Sequence, residues 1–463
     1  MNNASLPKGW ARASLKDLIS IDGLISDGDW VESKDQDPSG NVRLIQLADI
    51  GDGNFRNKSE RFMNTENAKR MNCTFLQRED VLVARMPDPL GRACIFPSVG
   101  QEAVTVVDVC LIRVGTKPGL SNMLLMRWIN SFPVRNLIAL ESTGTTRKRI
   151  TRRKLEEMEL PIPPLAEQKQ IAAKLDELLA QVDTIKARLD AIPKILKRFR
   201  QSVLAAAVSG RLTEGWHRIN KAPAWEHLIF QEICTEITVG FVGKMADKYQ
   251  SEGVPFLRSQ NVRPFRFSEE NLLYISQDFH KEIFKSRLLP GDLAIVRSGA
   301  PGTTCVVPDS LRISNCSDLV IARPNKKLNS FFGCIYMNSE VAQKNVAENQ
   351  VGVAQQHFNV GSMKKMPINL PSIAEQTEIV RRVDELFTFA NQIEQRVKDA
   401  RARVNHLTQS ILAKAFRGEL TADWRAQNPE LISGENSAEA LLARIRAERE
   451  HSQPVRRGHR ARK

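Results

Sequence analysis

The sequence predicts a mixed α/β (α+β) fold in two copies, joined by long helices that form an intramolecular antiparallel coiled coil. Three observations predict it. The chain has 463 residues, about three times the length of a typical single domain, so more than one compact unit is expected. Two stretches of sequence occur twice at one constant offset, and in each copy the two stretches lie at the two ends of a heptad pattern. Hydrophobic residues make up 42% and charged residues 26% of the chain, which fits globular domains and excludes wholesale disorder.

The repeated stretches show that the chain is internally duplicated. One stretch matches at eight of sixteen positions and the other at eight of fifteen, both at an offset of 208 residues without a gap. The matches pair PPLAEQKQIAAKLDEL (163–178) with PSIAEQTEIVRRVDEL (371–386), SVLAAAVSGRLTEGW (202–216) with SILAKAFRGELTADW (410–424) and, more weakly, DVLVAR (80–85) with DLAIVR (292–297). Well-matched segments beside divergent ones indicate a shared scaffold that carries two different variable parts.

A heptad pattern of apolar residues fills the space between the matched segments in each copy. A 3.5-residue repeat of this length needs a partner helix to bury its narrow apolar stripe, and each copy supplies the other's partner. The predicted seam residues are Ile171, Leu175, Leu178, Val182, Ile185 and Leu189 in the first copy and Ile379, Val383, Leu386, Ile393 and Val397 in the second.

The order of the chain fixes how these helices meet. Each variable region is followed in the chain by one of the helices. If the helices pair through their seams and the connections are short, they must be antiparallel, with the variable regions at opposite ends. The heptad pattern over residues 171–206 would span about 54 Å at about 1.5 Å per residue. Gly210 and Gly418 predict the helix ends. Pro193 has no counterpart in the second copy and predicts a kink or restart of the first helix near Asp190.

The variable regions contain short β-rich runs bounded by Gly, Pro, Asn and Asp, together with helical stretches, and so read as mixed α and β. The order of their strands cannot be derived from the sequence. The predicted boundaries are 1–158 and 217–366 for the two mixed regions, 159–216 and 367–425 for the two helical regions, and 426–463 for a C-terminal helix with a disordered basic tail.

Net charge and cysteine usage narrow the class of partner. Lysine and arginine exceed aspartate and glutamate by 14, and a field of this sign favours a polyanion and indicates nucleic acid as the partner. No run of eighteen apolar residues and no signal peptide occurs, so a cytoplasmic location without a membrane partner is expected. The seven cysteines are spread along the chain without metal-ligand spacing, which predicts reduced thiols and no bound metal.

Motifs for catalysis are not found in the sequence. GFVGKM (240–245) lacks the spacing of a phosphate-binding loop, and there is no dinucleotide fingerprint, H-E-x-x-H or G-x-S-x-G string. The paired carboxylates Asp176 with Glu177 and Asp384 with Glu385 lie beside the heptad seam, so a solvated helix face is the better interpretation. No catalytic residue is therefore predicted.

A basic cluster is the positive signal for nucleic acid. Six cations fall within eight residues, namely Arg147, Lys148, Arg149, Arg152, Arg153 and Lys154. So much like charge repels itself, and a phosphate backbone is an economical partner because neutralised phosphates release counterions. The second copy has Gln355, Gln356 and His357 in place of 147–149. Since glutamine suits adenine edges and arginine suits guanine edges, the two copies could read different bases.

These features together resemble the specificity subunit of type I restriction-modification systems. The resemblance rests on the PPLAEQ and PSIAEQ helix entries, the matched helix exits and the DVLVAR-type strands, and it covers about residues 8–425. It implies two target-recognition domains that each read one half of a split, asymmetric site in double-stranded DNA. It also implies that the helices dock two methyltransferase (modification) subunits, and that restriction subunits with an ATP-driven motor join the assembly.

The resemblance also carries expectations for cofactors and for single residues. No cofactor is expected on this chain; S-adenosylmethionine, ATP and Mg²⁺ are expected on the partner subunits. DNA contacts are expected at Arg85 in the first copy and at Arg297 and Ser298 in the second. The first copy departs from the usual pattern, because Met86 and Pro87 follow Arg85 where Ser298 and Gly299 follow Arg297.

Two alternative functions stay open at the level of sequence. One is a self-contained DNA methyltransferase or nuclease, which would bind S-adenosylmethionine or carry a catalytic site itself. The other is a coiled-coil assembly protein whose basic surface binds RNA or acidic partners.

Overall fold

A computed structural model describes residues 6–87, 89–144, 148–349 and 357–452 of the chain. The chain divides into two compact units. We call Met1–Ala187 together with Arg401–Lys463 the first unit, and Arg188–Ala400 the second unit.

Strands and helices alternate through the first part of the chain, up to the first long helix. The strands are β1 (Ala11–Ser14), β2 (Leu24–Asp27), β3 (Val42–Ile45), β4 (Phe62–Met63), β5 (Val81–Ala84), β6 (Ala93–Ile95), β7 (Ala103–Thr105), β8 (Val109–Arg113) and β9 (Glu159–Ile162). The helices are α1 (Leu15–Leu18), α2 (Thr65–Arg70), α3 (Asn122–Ile129), α4 (Phe132–Glu141), α5 (Arg152–Glu156) and α6 (Leu165–Val208).

A second mixed region follows and ends in a second long helix. Its helices are α7 (Glu214–Ile219), α8 (Phe230–Ile233), α9 (Gln277–Glu282), α10 (Ser330–Met337), α11 (Glu340–Glu348), α12 (Val360–Lys365) and α13 (Ile373–Phe416). Its strands are β10 (Glu226–Ile229), β11 (Cys234–Val239), β12 (Tyr249–Gln250), β13 (Val254–Leu257), β14 (Val262–Arg263), β15 (Arg266–Phe267), β16 (Leu273–Ile275), β17 (Arg287–Leu288), β18 (Leu293–Val296), β19 (Thr304–Val306), β20 (Ser314–Cys316), β21 (Leu319–Pro324) and β22 (Pro367–Leu370). The helices α14 (Ala422–Gln427) and α15 (Ala438–Ser452) then complete the first unit.

The duplication extends to the sheets. The first unit has an antiparallel sheet in the order β2-β8-β5-β6, and the second unit has one in the order β11-β21-β18-β19. DVLVAR and DLAIVR supply the fully buried strands β5 and β18, which occupy the same place in their sheets. Each unit also has a sheet with one parallel pair, β3 with β7 and β13 with β20. The predicted mixed α/β character of both regions is confirmed.

One buried ion pair recurs in the two antiparallel sheets. In the first unit Arg113 donates from Nε and Nη2 to the two carboxylate oxygens of Asp80, at 2.8 and 2.7 Å. In the second unit Arg323 grips Asp292 in the same forked way, at 3.0 Å for both bonds. Such forked pairs fix orientation as well as charge. Each pair therefore ties the start of the buried strand to the end of its neighbour.

The two long helices are antiparallel wherever they meet within one unit. In the second unit Arg200 of α6 donates to Glu394 of α13 at 2.7 Å, and the carbonyl of Leu212, just beyond the end of α6, accepts from Arg382 of α13 at 2.7 Å. The partner position thus moves back along α13 as α6 advances. In the first unit Lys174 donates to the carbonyl of Leu420, just beyond α13, at 2.9 Å.

Burial follows the predicted seam with one exception. Ile171, Leu175, Val182, Ile379, Val383 and Val397 are buried, and Leu178, Leu189, Leu386 and Ile393 are half-buried. Ile185 remains 42% exposed, so its assignment to the buried seam was wrong. Two helices cover only a narrow stripe of each other, and a residue at the flank of that stripe stays in contact with water.

The helix ends agree with the sequence, whereas the predicted restart at Pro193 does not. Gly210 and Gly418 adopt positive φ angles of 81° and 74° just beyond α6 and α13, as a helix C-terminus requires. A Cβ atom at Gly418 would also lie 2.7 Å from Cγ of Pro7. Pro193 lies inside α6, which continues through it without a new start. Proline removes one hydrogen bond of the helix, but the flanking heptads hold both sides in register.

A buried carboxylate closes the first unit where α6 begins. Glu167 is fully buried and accepts from the indole Nε1 of Trp10 at 2.8 Å and from the hydroxyl of Thr421 at 2.6 Å. It also pairs with the guanidinium of Arg425 at 2.5 Å. Glu167 therefore joins three segments: the start of the chain, the start of α6 and the segment after α13.

The second unit repeats this arrangement with one exchanged partner. Glu375, also fully buried, accepts from the hydroxyl of Thr213 at 2.8 Å and from the indole of Trp225 at 3.1 Å. His217 contacts the same carboxylate through Nδ1 at 2.8 Å and takes the place that Arg425 has in the first unit. The Glu of the matched AEQ motif and the Thr of the matched LT pair, Thr421 and Thr213, thus take part in both networks.

The predicted C-terminal helix is α15, which packs on the first unit. Ala438 donates its backbone N–H to the carbonyl of Gly9 at 3.0 Å, and Lys117 pairs with Glu448 at 3.0 Å. Leu442 is buried in this contact region. The predicted basic tail, residues 453–463, lies outside the described residues.

Replacing Glu167 with Gln is expected to lower the free energy of unfolding of the first unit by about 3 kcal/mol. Loss of the carboxylate leaves the buried charge of Arg425 uncompensated, and the amide N–H groups of Gln would face other hydrogen-bond donors. Thermal and urea unfolding followed by circular dichroism measure this change. Glu177→Gln, an exposed position on the same helix, is the matched control and should change stability by less than about 0.5 kcal/mol. Equal effects of the two variants would contradict the role of Glu167.

Candidate nucleic-acid interface

Three chain segments meet at the end of strand β5 in the first unit. The backbone N–H of Arg85 donates to the carbonyl of Asp108 at 2.9 Å, and the backbone N–H of Ile150 donates to the carbonyl of Arg85 at 3.2 Å. The segment that carries the predicted basic cluster is therefore fixed beside the turn between β7 and β8.

The second unit brings equivalent segments together in the same way. The backbone N–H of Arg297 donates to the carbonyl of Asp318 at 3.3 Å, and that of Phe358 donates to the carbonyl of Arg297 at 3.1 Å. One backbone frame thus recurs in both units. Within this frame the residue before Ile150 is Arg149 and the residue before Phe358 is His357, as the sequence match predicts.

We call Arg85, Asp108 and Arg149 the Asp108 cluster. The guanidinium of Arg149 donates from Nη2 to the carbonyl of Val107 at 2.7 Å and lies 3.7 Å from the Asp108 carboxylate. About a third of the Arg149 side chain remains exposed, at 33%. Arg149 is therefore held from one side while its other side is open to a ligand.

Arg85 is placed differently from the expectation. It is buried, with 5% of its surface exposed. Its guanidinium pairs with Asp27, and its Nε donates to the carbonyl of Ile150 at 3.0 Å. Burial lowers the pKa of Arg85, and the neighbouring cation Arg149 adds to this effect. Arg85 therefore supports the segment that carries Arg149, and a direct DNA contact at Arg85 stays a prediction.

We call Ser259, Ser298, Asp318 and His357 the Asp318 cluster. The hydroxyl of Ser298 lies 2.9 Å from Oδ1 of Asp318 and 2.7 Å from Nδ1 of His357. The hydroxyl of Ser259 donates to the other carboxylate oxygen of Asp318 at 3.0 Å. Serine stands between the acid and the histidine here, so this is not the order that activates a serine nucleophile.

Arg297 is half-buried, and its main-chain bonds hold the frame rather than a ligand. Its Nε is buried without a hydrogen-bond partner among the described residues. The other predicted positions of this loop, Gln355 and Gln356, lie outside the described residues, as does Arg147 in the first unit.

The basic cluster is partly neutralised within the first unit. Arg152 pairs with Glu156 at 3.2 Å, Arg153 with Glu157 at 2.8 Å and Lys154 with Glu141 at 3.0 Å. The Arg153 cation lowers the pKa of Glu157 below its ordinary value. The prediction that these cations repel one another and need an external anion was therefore too strong, because carboxylates on and beside α5 lie next to them. Exposed pairs of this kind contribute little and can exchange for phosphate contacts.

Metal and thiol chemistry is not favoured by the described residues. Within them, no group of three or more His, Cys, Asp and Glu side chains is arranged to hold a metal ion. All seven cysteines are free, and burial raises the pKa of Cys73, Cys94, Cys110, Cys234 and Cys305 to about 12. In the part of the chain that the structure describes, no helix has both the length and the apolar character needed to cross a membrane.

Comparison with known proteins assigns the chain to a family. The sequence model described as the type I restriction modification DNA specificity domain matches residues 7–194 and 242–400. The EcoBI specificity subunit of Escherichia coli is 42% identical over 328 residues, which are 67% of this chain and 69% of that one. The chain belongs to the family of type I restriction-modification specificity subunits. The StySPI specificity subunit of Salmonella potsdam is 34% identical over 461 residues, 97% of each chain.

Solved structures of such specificity subunits have the same fold. A chain from a structure of the type I restriction-modification system, determined to explain complex assembly and conformational transition, has a TM-score of 0.65 at 19% identity; the alignment covers 90% of this chain and all of that one. The HsdS subunit of Thermoanaerobacter tengcongensis has a TM-score of 0.54 at 20% identity, with 90% of this chain and 99% of that one covered.

Family membership decides between the functions that the sequence left open. A specificity subunit is the DNA-recognition component of a type I restriction enzyme and not its catalytic component, so the methyltransferase, nuclease and RNA-assembly alternatives are not favoured. The sequence did not point to the part that Ser259 plays, because its contact with Asp318 depends on strand order. A repeated Asp before β8 and β21 was the available signal for Asp108 and Asp318.

Arg85→Met is expected to lower the free energy of unfolding by about 2–4 kcal/mol, because Asp27 and the carbonyl of Ile150 lose their partner. Arg153→Met is the control: Arg153 has an 85% exposed side chain in an i,i+4 pair, and its loss should cost no more than about 0.5 kcal/mol. Thermal unfolding compares the two. An Arg85→Met protein that unfolds like the wild type but loses DNA binding would contradict this supporting role and favour a direct DNA contact at Arg85.

Proposed function

We propose that this specificity subunit reads a two-part, asymmetric site in double-stranded DNA, with one half-site for each mixed α/β region. The observation that carries the proposal is the shared backbone frame with Arg149 in the first unit and His357 in the second. Arginine offers only donors, whereas histidine can also accept, so the same frame can address different base edges. The proposed target-recognition domains are residues 1–158 and 217–366, and the proposed helical regions are 159–216 and 367–425.

The proposed DNA contacts fall into two groups. The first group contacts phosphates in the first half-site and sets the register of the protein on the DNA; it consists of Arg147, Lys148, Arg152, Arg153 and Lys154. The second group lies at or near base edges; it consists of Arg149 in the first region and of Ser298, Gln355, Gln356 and His357 in the second. Phosphate contacts position a protein on DNA, and base contacts give it sequence preference. Arg85 and Arg297 support the loops that present these residues.

We further propose that unread base pairs separate the half-sites. The heptad pattern of residues 171–206 corresponds to about 54 Å of helix, which exceeds one turn of DNA at about 34–36 Å. Readers held by helices of this length would not reach adjacent base pairs without bending the DNA.

The proposed partners besides DNA are two methyltransferase subunits, docked on the helical regions, and restriction subunits that drive translocation. S-adenosylmethionine, ATP and Mg²⁺ are proposed to act on those subunits, with no cofactor on this chain. The proposed place of action is the cytoplasm.

Replacing Arg147, Lys148 and Arg149 with Ala is expected to weaken DNA binding and flatten its salt dependence. Each lost phosphate contact reduces the slope of log affinity against log salt by about 1. Fluorescence anisotropy of a labelled duplex at several salt concentrations measures the slope. Replacing the exposed cations Lys34, Lys69 and Arg78 with Ala gives the same change in net charge and is the control. Equal slopes for the two triple variants would exclude the cluster as a phosphate contact.

Exchange of residues 1–158 for those of a relative is expected to change one half-site and leave the other unchanged, because each region reads its own base pairs. Selection from a randomised duplex library, with the full chain and its modification subunits, gives both half-sites and the length of the unread stretch. The reciprocal exchange of residues 217–366 is the control. If both half-sites change in either exchange, modular reading is refuted.

A further inference from the structure

The Asp318 cluster forms a short chain of hydrogen bonds that ends at a proposed base-reading position. Asp318 accepts from Ser259 at one oxygen and contacts Ser298 at the other, and Ser298 contacts Nδ1 of His357. Asp318 itself has a φ of +54°, an uncommon conformation that aspartate tolerates better than most residues. The turn thus directs a carboxylate at Ser298 from the frame that positions His357.

The direction of each proton in this chain follows from the chemistry of its members. An ionised carboxylate only accepts, so the short contact with Asp318 Oδ1 requires the single hydroxyl proton of Ser298. Ser298 can then only accept from His357, so Nδ1 of His357 must carry a proton. In a neutral imidazole the other nitrogen, Nε2, is then an unprotonated acceptor. No hydrogen bond joins Nε2 to another described residue.

No such chain of hydrogen bonds is found among the described residues of the first unit. The position of Ser298 is taken by Met86. Its thioether has no proton to donate, so it cannot link Asp108 to Arg149 by hydrogen bonds. Asp108 instead lies directly beside the Arg149 guanidinium at 3.7 Å. The two frames therefore present opposite hydrogen-bonding groups: a donor in the first unit and an acceptor in the second.

We propose that Asp318 and Ser298 fix the tautomer of His357, so that its Nε2 selects a base with an exocyclic amino group in the major groove of the second half-site. This inference rests on the proposed DNA-reading function. Adenine N6 and cytosine N4 are the amino donors that face the major groove, whereas guanine presents only acceptors there. His357 is the specificity-determining residue, and Ser298 and Asp318 are positioning residues.

Selection from a randomised duplex library with the full chain tests the proposal, at about pH 8, above the ordinary titration range of histidine side chains. The wild type should prefer adenine or cytosine at one position of the second half-site. His357→Arg replaces the acceptor with donors and should move that position to guanine, with a change in preference of about tenfold or more. Ser298→Ala frees the tautomer and should reduce the wild-type preference for adenine or cytosine at that position about fivefold or more. Ser251→Ala, an exposed serine outside the cluster, is the control.

A base-analogue cycle then separates adenine from cytosine and tests the contact directly. The preferred base is replaced by its analogue without the exocyclic amino group, which is purine for adenine and 4-unsubstituted pyrimidinone for cytosine. Wild-type affinity should fall about tenfold, while the affinity of His357→Ala should not fall further.

The outcomes distinguish this inference from the function on which it rests. If the wild type enriches no sequence, both fail. A two-part site that neither His357→Arg nor Ser298→Ala changes would show that the assignment of His357 is wrong. The same conclusion follows if the position altered in the variants prefers guanine or thymine in the wild type. In both cases the proposed function stands. Thermal unfolding confirms that each variant is folded, and Ser298→Ala carries the test should His357→Arg destabilise the chain.

Discussion

The constraint on which the rest of the structure depends is the burial of one carboxylate at the start of each long helix. A fully buried charge is tolerated only while its partners surround it. Glu167 collects its donors from the first residues of the chain and from the segment after α13, and Glu375 collects its donors from the segment after α6. If any one of these segments separated, the carboxylate would remain buried without its hydrogen-bond donors. The heptad seam supplies an apolar stripe between the helices, which tolerates sliding, whereas the buried carboxylates do not. They therefore fix the register in which the helices pair.

This division of labour explains why the two copies match unevenly. The matched motifs build contacts that are complete within the chain, such as Glu167 with Trp10, so the same residues serve both copies. The reading positions are completed only by an external ligand, and a different ligand calls for a different side chain. In the proposed function, Arg149 and His357 differ for this reason, although the backbone that holds them is the same. A duplicated scaffold can in this way change what it reads without changing how it folds.

The sequence was most informative where the physical signal is periodic or repeated. The heptads, the glycine helix ends and the duplication predicted the long antiparallel helices, and alternating apolar runs predicted mixed α/β regions. Prediction failed where long-range packing decides. Burial of Arg85 against Asp27 depends on strand order, which the sequence does not encode locally. The exposure of Ile185 depends on how far a two-helix stripe reaches, and the continuity of α6 through Pro193 depends on the packing of its flanks. Of the cations of α5, only Lys154 pairs with a carboxylate distant in sequence, Glu141, whereas the i,i+4 pairs of Arg152 and Arg153 were visible in the sequence.

Reading residues that are held before DNA arrives have a physical advantage over free side chains. A flexible arginine loses rotational entropy when it is fixed against a base, and this loss subtracts from affinity for every sequence. Arg149 is already oriented by the carbonyl of Val107, and the ring of His357 by Ser298. Orientation also raises the penalty for a wrong base, because a fixed group cannot turn to find another partner and stays unsatisfied. In the proposed function, specificity would thus depend as much on Asp108 and the Asp318–Ser298 pair as on the side chains that would face the bases.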